Sequence, residues 1–143
     1  MSINAAQVET EITITGNAKG NLIVGSENND YINGANGADI LCGGKGNDEL
    51  YGGTGNDKLY GGKGDDSLWG GTGTDTLTGG DGKDVFIYTG GTDLIADYAP
   101  GVDTIMLKSG KILGYQTNSN GDLQYNLSVV VKLSFKAAQQ NRM

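Results

Sequence analysis

Residues Gly43 to Ile87 read GGKGNDELY, GGTGNDKLY, GGKGDDSLW, GGTGTDTLT and GGDGKDVFI, five nine-residue units in a row without an insertion. The first six positions of each unit are glycine, glycine, variable, glycine, variable and aspartate. The last three form a short strand with an apolar residue in the middle. Glycine dominates the composition, with 26 of 143 residues, and its period is what carries meaning. A disordered linker can be as glycine-rich, but its glycines are not locked to one period with an apolar residue recurring in phase. Periodic glycine means repeated turns, because a residue without Cβ reaches backbone conformations that other residues avoid.

Outward from this stretch the frame continues in both directions. Upstream, GNAKGNLIV, GSENNDYIN and GANGADILC occupy Gly16 to Cys42 and bring the array to eight units. The first is degraded, with Lys19 at the fourth position and Asn21 at the sixth; the second carries Asn28 at the fourth, a residue that tolerates positive φ. Before them, Glu11-Ile12-Thr13-Ile14-Thr15 alternates strictly and predicts a strand with Ile12 and Ile14 inward, a lid on the first coil. Downstream, Gly91, Asp93 and Ile95 keep the frame. Pro100 and Gly101 then shift the phase by one residue, so that Gly101 to Ile105 reads as one more half turn, out of register. Strands are predicted at Lys111 to Gln116, Asp122 to Leu127 and Val129 to Phe135, the first two joined by a turn at Thr117 to Gly121. This divides the chain into a lead-in strand at 1–15, a repeat array at 16–96, and a C-terminal cap and tail at 97–143.

A three-residue strand rises about 10 Å at roughly 3.3 Å per residue, so two units close one flattened coil of eighteen residues. The fold class is therefore all-β, a right-handed parallel β-roll or β-solenoid with a C-terminal β capping segment. Units two apart lie one above the other, about 4.8 Å apart. The eighth positions, Ile23, Ile32, Leu41, Leu50, Leu59, Leu68, Leu77, Phe86 and Ile95, all face inward and form the whole core. One inward side chain for every nine ordered residues is a thin core, and some other source of stability is needed.

The pattern G-G-x-G-x-D-x-U-x resembles the calcium-binding nonapeptide of the RTX (repeats-in-toxin, hemolysin-type) β-roll. The resemblance spans about Gly16 to Leu107, and DLIADYAPGVDTIML is similar to the stretch that commonly follows such arrays. It implies that the ligands in each turn are the sixth-position residue and the carbonyls around the second and fourth positions. The sixth-position residues are Asn21, Asp39, Asp57, Asp75 and Asp93 along one edge, and Asp30, Asp48, Asp66 and Asp84 along the other. The carbonyls are those of Ala35, Gly37, Gly44, Gly46, Gly53, Gly55, Gly62, Gly64, Gly71, Gly73, Gly80 and Gly82. Stacked carboxylates at this spacing repel one another by roughly 1 kcal/mol per neighbour in water, and by more when desolvated. Calcium, which takes six to eight oxygens at ~2.4 Å in tolerant geometry, suits such sites better than magnesium; soft ligands for zinc or copper are missing. Pairing across coils predicts six sites of two aspartates each, from Asp30/Asp48 to Asp75/Asp93. Asn21/Asp39 is a weaker seventh, and Asp84/Asp103 is an eighth pair if the inserted residue is absorbed.

Other function classes fit less well. Seventeen acidic residues against ten basic ones argue against a nucleic-acid surface. With no histidine and the single thiol Cys42, the chain cannot assemble Ser-His-Asp or Cys-His machinery or a disulfide, so no enzyme is predicted. The N-terminus has no basic start followed by an apolar run, and no ~18-residue apolar span occurs, so neither a cleavable signal peptide nor a membrane span is predicted. Outward ninth-position residues include Tyr51 and Trp69, stacked on one sheet, Tyr60 on the other, and Cys42. The aromatic row reads either as cross-strand packing or as a carbohydrate or adhesion face. An ice-binding face requires regular Thr/Asn ranks, and Glu27, Lys45, Lys63 and Asp65 interrupt them. The family resemblance implies a secreted bacterial protein exported by a type I apparatus through an uncleaved C-terminal signal.

Overall fold

Each apolar eighth position meets the eighth position two units away. Leu41 pairs with Leu59, Leu50 with Leu68 and Leu59 with Leu77, all in parallel register. The structure, a computed structural model, describes residues 1–108 throughout and, beyond them, the backbone of strands at 112–117, 123–127 and 131–135. In chain order the strands are β1 (Ser2–Asn4), β2 (Thr13–Thr15), β3 (Leu22–Val24), β4 (Tyr31–Asn33), β5 (Ile40–Lys45), β6 (Glu49–Thr54), β7 (Lys58–Lys63) and β8 (Ser67–Thr72). They continue as β9 (Thr76–Asp81), β10 (Val85–Tyr88), β11 (Asp93–Tyr98), β12 (Thr104–Leu107), β13 (Ile112–Thr117), β14 (Leu123–Leu127) and β15 (Val131–Phe135). No helix occurs among the described residues.

Successive strands alternate between two sheets. One runs β1-β3-β5-β7-β9-β11-β15 and the other β12-β10-β8-β6-β4-β2. The result is a parallel β-solenoid of about six turns. β13 and β14 form a separate antiparallel hairpin. The predicted turn at Thr117 to Gly121 and the tail from Lys136 lie, apart from Thr117, outside the described residues. Between the sheets, Ile23, Ile32, Leu41, Leu50, Leu59, Leu68, Leu77, Phe86 and Ile95 are buried in a single file. Ile3 and Ile14 close it at one end, and Tyr98, Ile105 and Leu107 pack against it as well.

The glycine turns are tight for a steric reason. Gly44 and Gly46 adopt φ of 118° and 102°, and a Cβ on Gly44 would collide with Ser26 O of the preceding coil. Ala35, with φ 78°, is the one non-glycine residue with positive φ among the described residues.

The structure corrects four details. Asn28 does not adopt positive φ; its N–H instead donates to Ser26 Oγ at 3.0 Å, a side-chain turn that replaces the glycine turn. One turn earlier the Lys19 N–H donates in the same way to Asn17 Oδ1 at 2.9 Å. Ile14 packs on the core, but Ile12 falls in the register of the aspartates, where its N–H donates to Asp30 Oδ1 at 3.1 Å. Ser2–Asn4 forms a strand, paired with β3, that its single apolar residue, Ile3, did not reveal. Past the array, β12 pairs with β10 at an offset of nineteen residues, Phe86 against Ile105, so the inserted residue is absorbed in the turn and the sheet continues. β15 likewise extends the other sheet beside β11.

Candidate metal centre

The sixth position of each turn is the residue that enters the strand, and its backbone N–H faces the coil beyond. There it meets a carboxylate. Asp30, Asp39, Asp48 and Asp57 each donate their N–H at 2.8 Å to Oδ1 of the residue eighteen further on: Asp48, Asp57, Asp66 and Asp75. Asp66 donates to Asp84 at 3.0 Å and Asp75 to Asp93 at 3.2 Å. Asp84 donates to Asp103 at 3.0 Å across the one-residue insertion. All of these aspartates are buried. The two edges foreseen in the sequence are thus two continuous ladders of carboxylates.

In five of these carboxylates one oxygen is used in this way and the other is not. Oδ2 of Asp39, Asp48, Asp57, Asp66 and Asp75 is buried without a hydrogen-bond partner. It points to the first glycine of its own turn and, for Asp39, Asp48, Asp57 and Asp66, lies beside the carbonyl of the first glycine one coil on. A Cβ added to Gly52 would lie 2.5 Å from both Asp57 Oδ2 and Gly70 O. Acceptor therefore faces acceptor, in a space that any side chain on the glycine would fill.

Burial pushes the Asp48 carboxyl up to about 7, and those of Asp57 and Asp66 up to about 6, despite the N–H bond each receives, which lowers it. Burial also raises Asp75, and it pushes Asp93 up to about 8, with the Asp75 charge adding to the rise. A desolvated carboxylate beside a carbonyl oxygen is costly as it stands and is relieved by a proton or a cation.

The donor set is all oxygen. No group of three or more His, Cys, Asp or Glu side chains gathers among the described residues, so a bound cation would depend on carbonyls for much of its shell. That chemistry fits a hard cation of high coordination number. The second- and fourth-position carbonyls expected as ligands also carry bonds between coils: Ala35 O accepts the Thr54 N–H at 2.9 Å, and Gly73 O accepts the Thr92 N–H at 2.7 Å. Each keeps a second lone pair.

The ends of the ladders differ from the middle. Asn21 Nδ2 donates to Asp39 Oδ1 at 2.8 Å and to the carbonyls of Gly34 and Asn17, both at 3.1 Å. Asp30 is already engaged by its own turn, taking the Ser26 N–H on Oδ2 at 2.6 Å and the Ser26 hydroxyl on Oδ1 at 2.8 Å. At the far end Asp103 Oδ2 accepts the Ala99 N–H at 2.8 Å. Asp97 accepts the N–H groups of Gly79 and Gly80, both at 2.8 Å, standing where the next turn's first glycine would be.

Sequence reading missed Asp97 and Ser26, because neither falls on the acidic period. It also missed a second ladder on the surface, in which the fifth-position side chains of Asn29, Asn47 and Asp65 accept the fifth-position N–H of the next coil at 2.7 to 2.8 Å. The recurrence of Asn and Asp at the "variable" fifth position was its signal. Tyr51 and Trp69 lie directly opposite each other across β6 and β8 and stack with centroids 4.2 Å apart, as cross-strand packing requires. Cys42 is half-buried, and burial raises its thiol.

The RTX calcium-binding nonapeptide repeat matches the sequence in four copies, at residues 15–50, 43–77, 51–86 and 61–95, which together cover more than half of the chain. The chain belongs to that family. RTX repeats bind calcium in general, and their proteins are typically exported. The matched residues include every glycine turn from Gly34 to Gly82 and both aspartate ladders as far as Asp93. No significant match to a curated protein is found. No helix among the described residues is long and apolar enough to cross a membrane.

Proposed function

We propose that this RTX chain is a calcium-dependent folding module, holding calcium ions between successive coils and ordering its β-roll as they bind. The reading is carried by the row of buried, unpartnered Oδ2 atoms of Asp39, Asp48, Asp57, Asp66 and Asp75, the first four of them beside a carbonyl of the coil beyond. Each would be joined in its site by Oδ1 of the aspartate one coil on: Asp57, Asp66, Asp75, Asp84 and Asp93 respectively. Carbonyls of the first, second and fourth turn positions would complete the shell. Bound calcium supplies the positive charge that these facing acceptors lack. Asp30/Asp48 is a weaker pair, since Ser26 already occupies the Asp30 carboxylate.

The module belongs, on this reading, to a secreted bacterial protein exported by a type I apparatus, with residues 97–143 serving as cap and tail and any catalysis residing in another domain. Low cytosolic calcium keeps the chain unfolded for export, and extracellular calcium folds it. Circular dichroism tests the central point. The chain in chelator gives a disordered spectrum, and β signal appears cooperatively as calcium reaches ~10⁻⁴–10⁻³ M, the range of extracellular modules. A chain equally folded in excess chelator overturns the reading.

A further inference from the structure

We propose that the side-chain amide of Asn21 takes the place of a cation in the first turn of its edge, so that this turn closes without an ion and the calcium ladder begins at Asp39. The proposal rests on the reading of the aspartate turns as calcium sites and adds to it where they start.

Asn21 is buried and stands in the ladder as the aspartates do: its N–H donates to Asp39 Oδ1 at 2.7 Å, as that of Asp39 does to Asp57. Its Nδ2 holds the place that Oδ2 holds in the other turns. A Cβ on Gly16 would lie 2.7 Å from Asn21 Nδ2 and would collide with Gly34 O; a Cβ on Gly52 meets Asp57 Oδ2 and Gly70 O in the same arrangement.

What differs is the sign of the group. In the turns of Asp39, Asp48, Asp57 and Asp66 an acceptor faces acceptors, and Oδ2 is left without a partner. In the first turn a donor faces the same kind of oxygens and bonds to three of them: Asn17 O, Gly34 O and Asp39 Oδ1. Those are a second-position carbonyl, a first-position carbonyl and a carboxylate, the set assigned above to calcium. All three partners are acceptors, so only the amino end of the amide can face them. Its hydrogens then point into the space an ion would need and repel a cation. This removes the Asn21/Asp39 pair from the calcium sites and makes the first turn a fixed, metal-independent end on which the next coil can stack.

The ion count measures this directly. Native mass spectrometry and calorimetric titration with calcium chloride are carried out on the wild-type chain, Asn21→Asp and Asn21→Ala. Asn21→Asp restores the facing acceptors and binds one more calcium ion than wild type. Asn21→Ala binds the same number as wild type but melts at lower temperature in saturating calcium, because the Gly34 and Asn17 carbonyls lose this donor and Asp39 Oδ1 keeps only the backbone N–H of residue 21. An unchanged count in Asn21→Asp overturns the proposal. So does the loss of one ion in Asn21→Ala, which makes Asn21 a ligand, and this arm decides the matter if Asn21→Asp does not fold. A wild-type chain that binds no calcium is a separate result: it overturns the calcium reading itself, and this proposal with it.

Discussion

The N–H of Asp39 donates to Oδ1 of Asp57 at 2.8 Å, while Oδ2 of the same Asp57 is buried with no partner. One carboxylate thus joins two coils through a hydrogen bond on one side and offers its other oxygen to the coil beyond. Its removal should be felt in two turns. Asp57→Ala is expected to raise the calcium midpoint of folding on the order of tenfold or more, at ~1.4 kcal/mol per tenfold. Asp30→Ala should raise it far less, because Asp30 terminates its edge and is held by Ser26. Calcium titrations followed by circular dichroism compare the two. Equal shifts would mean that the turns do not share ligands along the ladder.

The same burial sets a pH dependence. Asp48, pushed up to about 7, and Asp57 and Asp66, pushed up to about 6, bind protons more tightly in the calcium-free fold than in the unfolded chain, where aspartate titrates near ~3.9. Their contribution to the metal-free fold is therefore fully present below about pH 4 and is lost as pH rises through 6 to 7. In chelator, β signal should grow on acidification from pH 8 to pH 4. With calcium present the dependence reverses, since protons compete for the same oxygens and the calcium midpoint rises as pH falls. A chelated chain that loses β signal on acidification would contradict this.

Core and surface positions of one strand separate packing from metal binding. Leu59 is fully buried, and Leu59→Ala should cost about 2–5 kcal/mol without changing the number of ions bound. Its neighbour Tyr60 is 39% exposed, and Tyr60→Ala should lie within about 0.5 kcal/mol of wild type. Thermal melts in saturating calcium, with ion counts by native mass spectrometry, check both. A change of ion count in Leu59→Ala would show that the core and the turns are not separable.

The period of nine made the coil, the core file and both carboxylate ladders legible from Gly16 to Ile95, because a repeat fixes every inward residue once one of them is placed. The failures lie where the period breaks. At Ser26/Asn28 and Asn17/Lys19 a side-chain turn replaces the left-handed glycines, and composition alone does not say which solution a degenerate turn adopts. Ile12 kept the alternation of its segment yet fell in the aspartate register, since strand phase is set by pairing with Tyr31 to Asn33 rather than by the alternation itself. The first-position carbonyls were not foreseen as neighbours of Oδ2, because that proximity arises between coils and leaves no trace within one repeat.

At the C-terminal end of the array, truncation after Ile87 removes β11 and β12, the parallel neighbours of β9 and β10, and leaves both strand edges bare. It also removes three carboxylates that terminate the ladders: Asp93, which accepts the Asp75 N–H; Asp103, which accepts that of Asp84; and Asp97, which accepts those of Gly79 and Gly80. Ile95, Tyr98, Ile105 and Leu107, which pack on the end of the core file, are lost with them. In a stacked array each coil is stabilised only by its neighbours, so an uncapped last coil frays, and a bare parallel edge invites pairing with another chain. The truncated chain should fold only at higher calcium than the full chain and should self-associate as it folds, seen as a shifted dichroism midpoint and a larger species in sedimentation. A shortened chain that folds at the same midpoint and stays monomeric would show that residues 88–143 are not needed to close the roll.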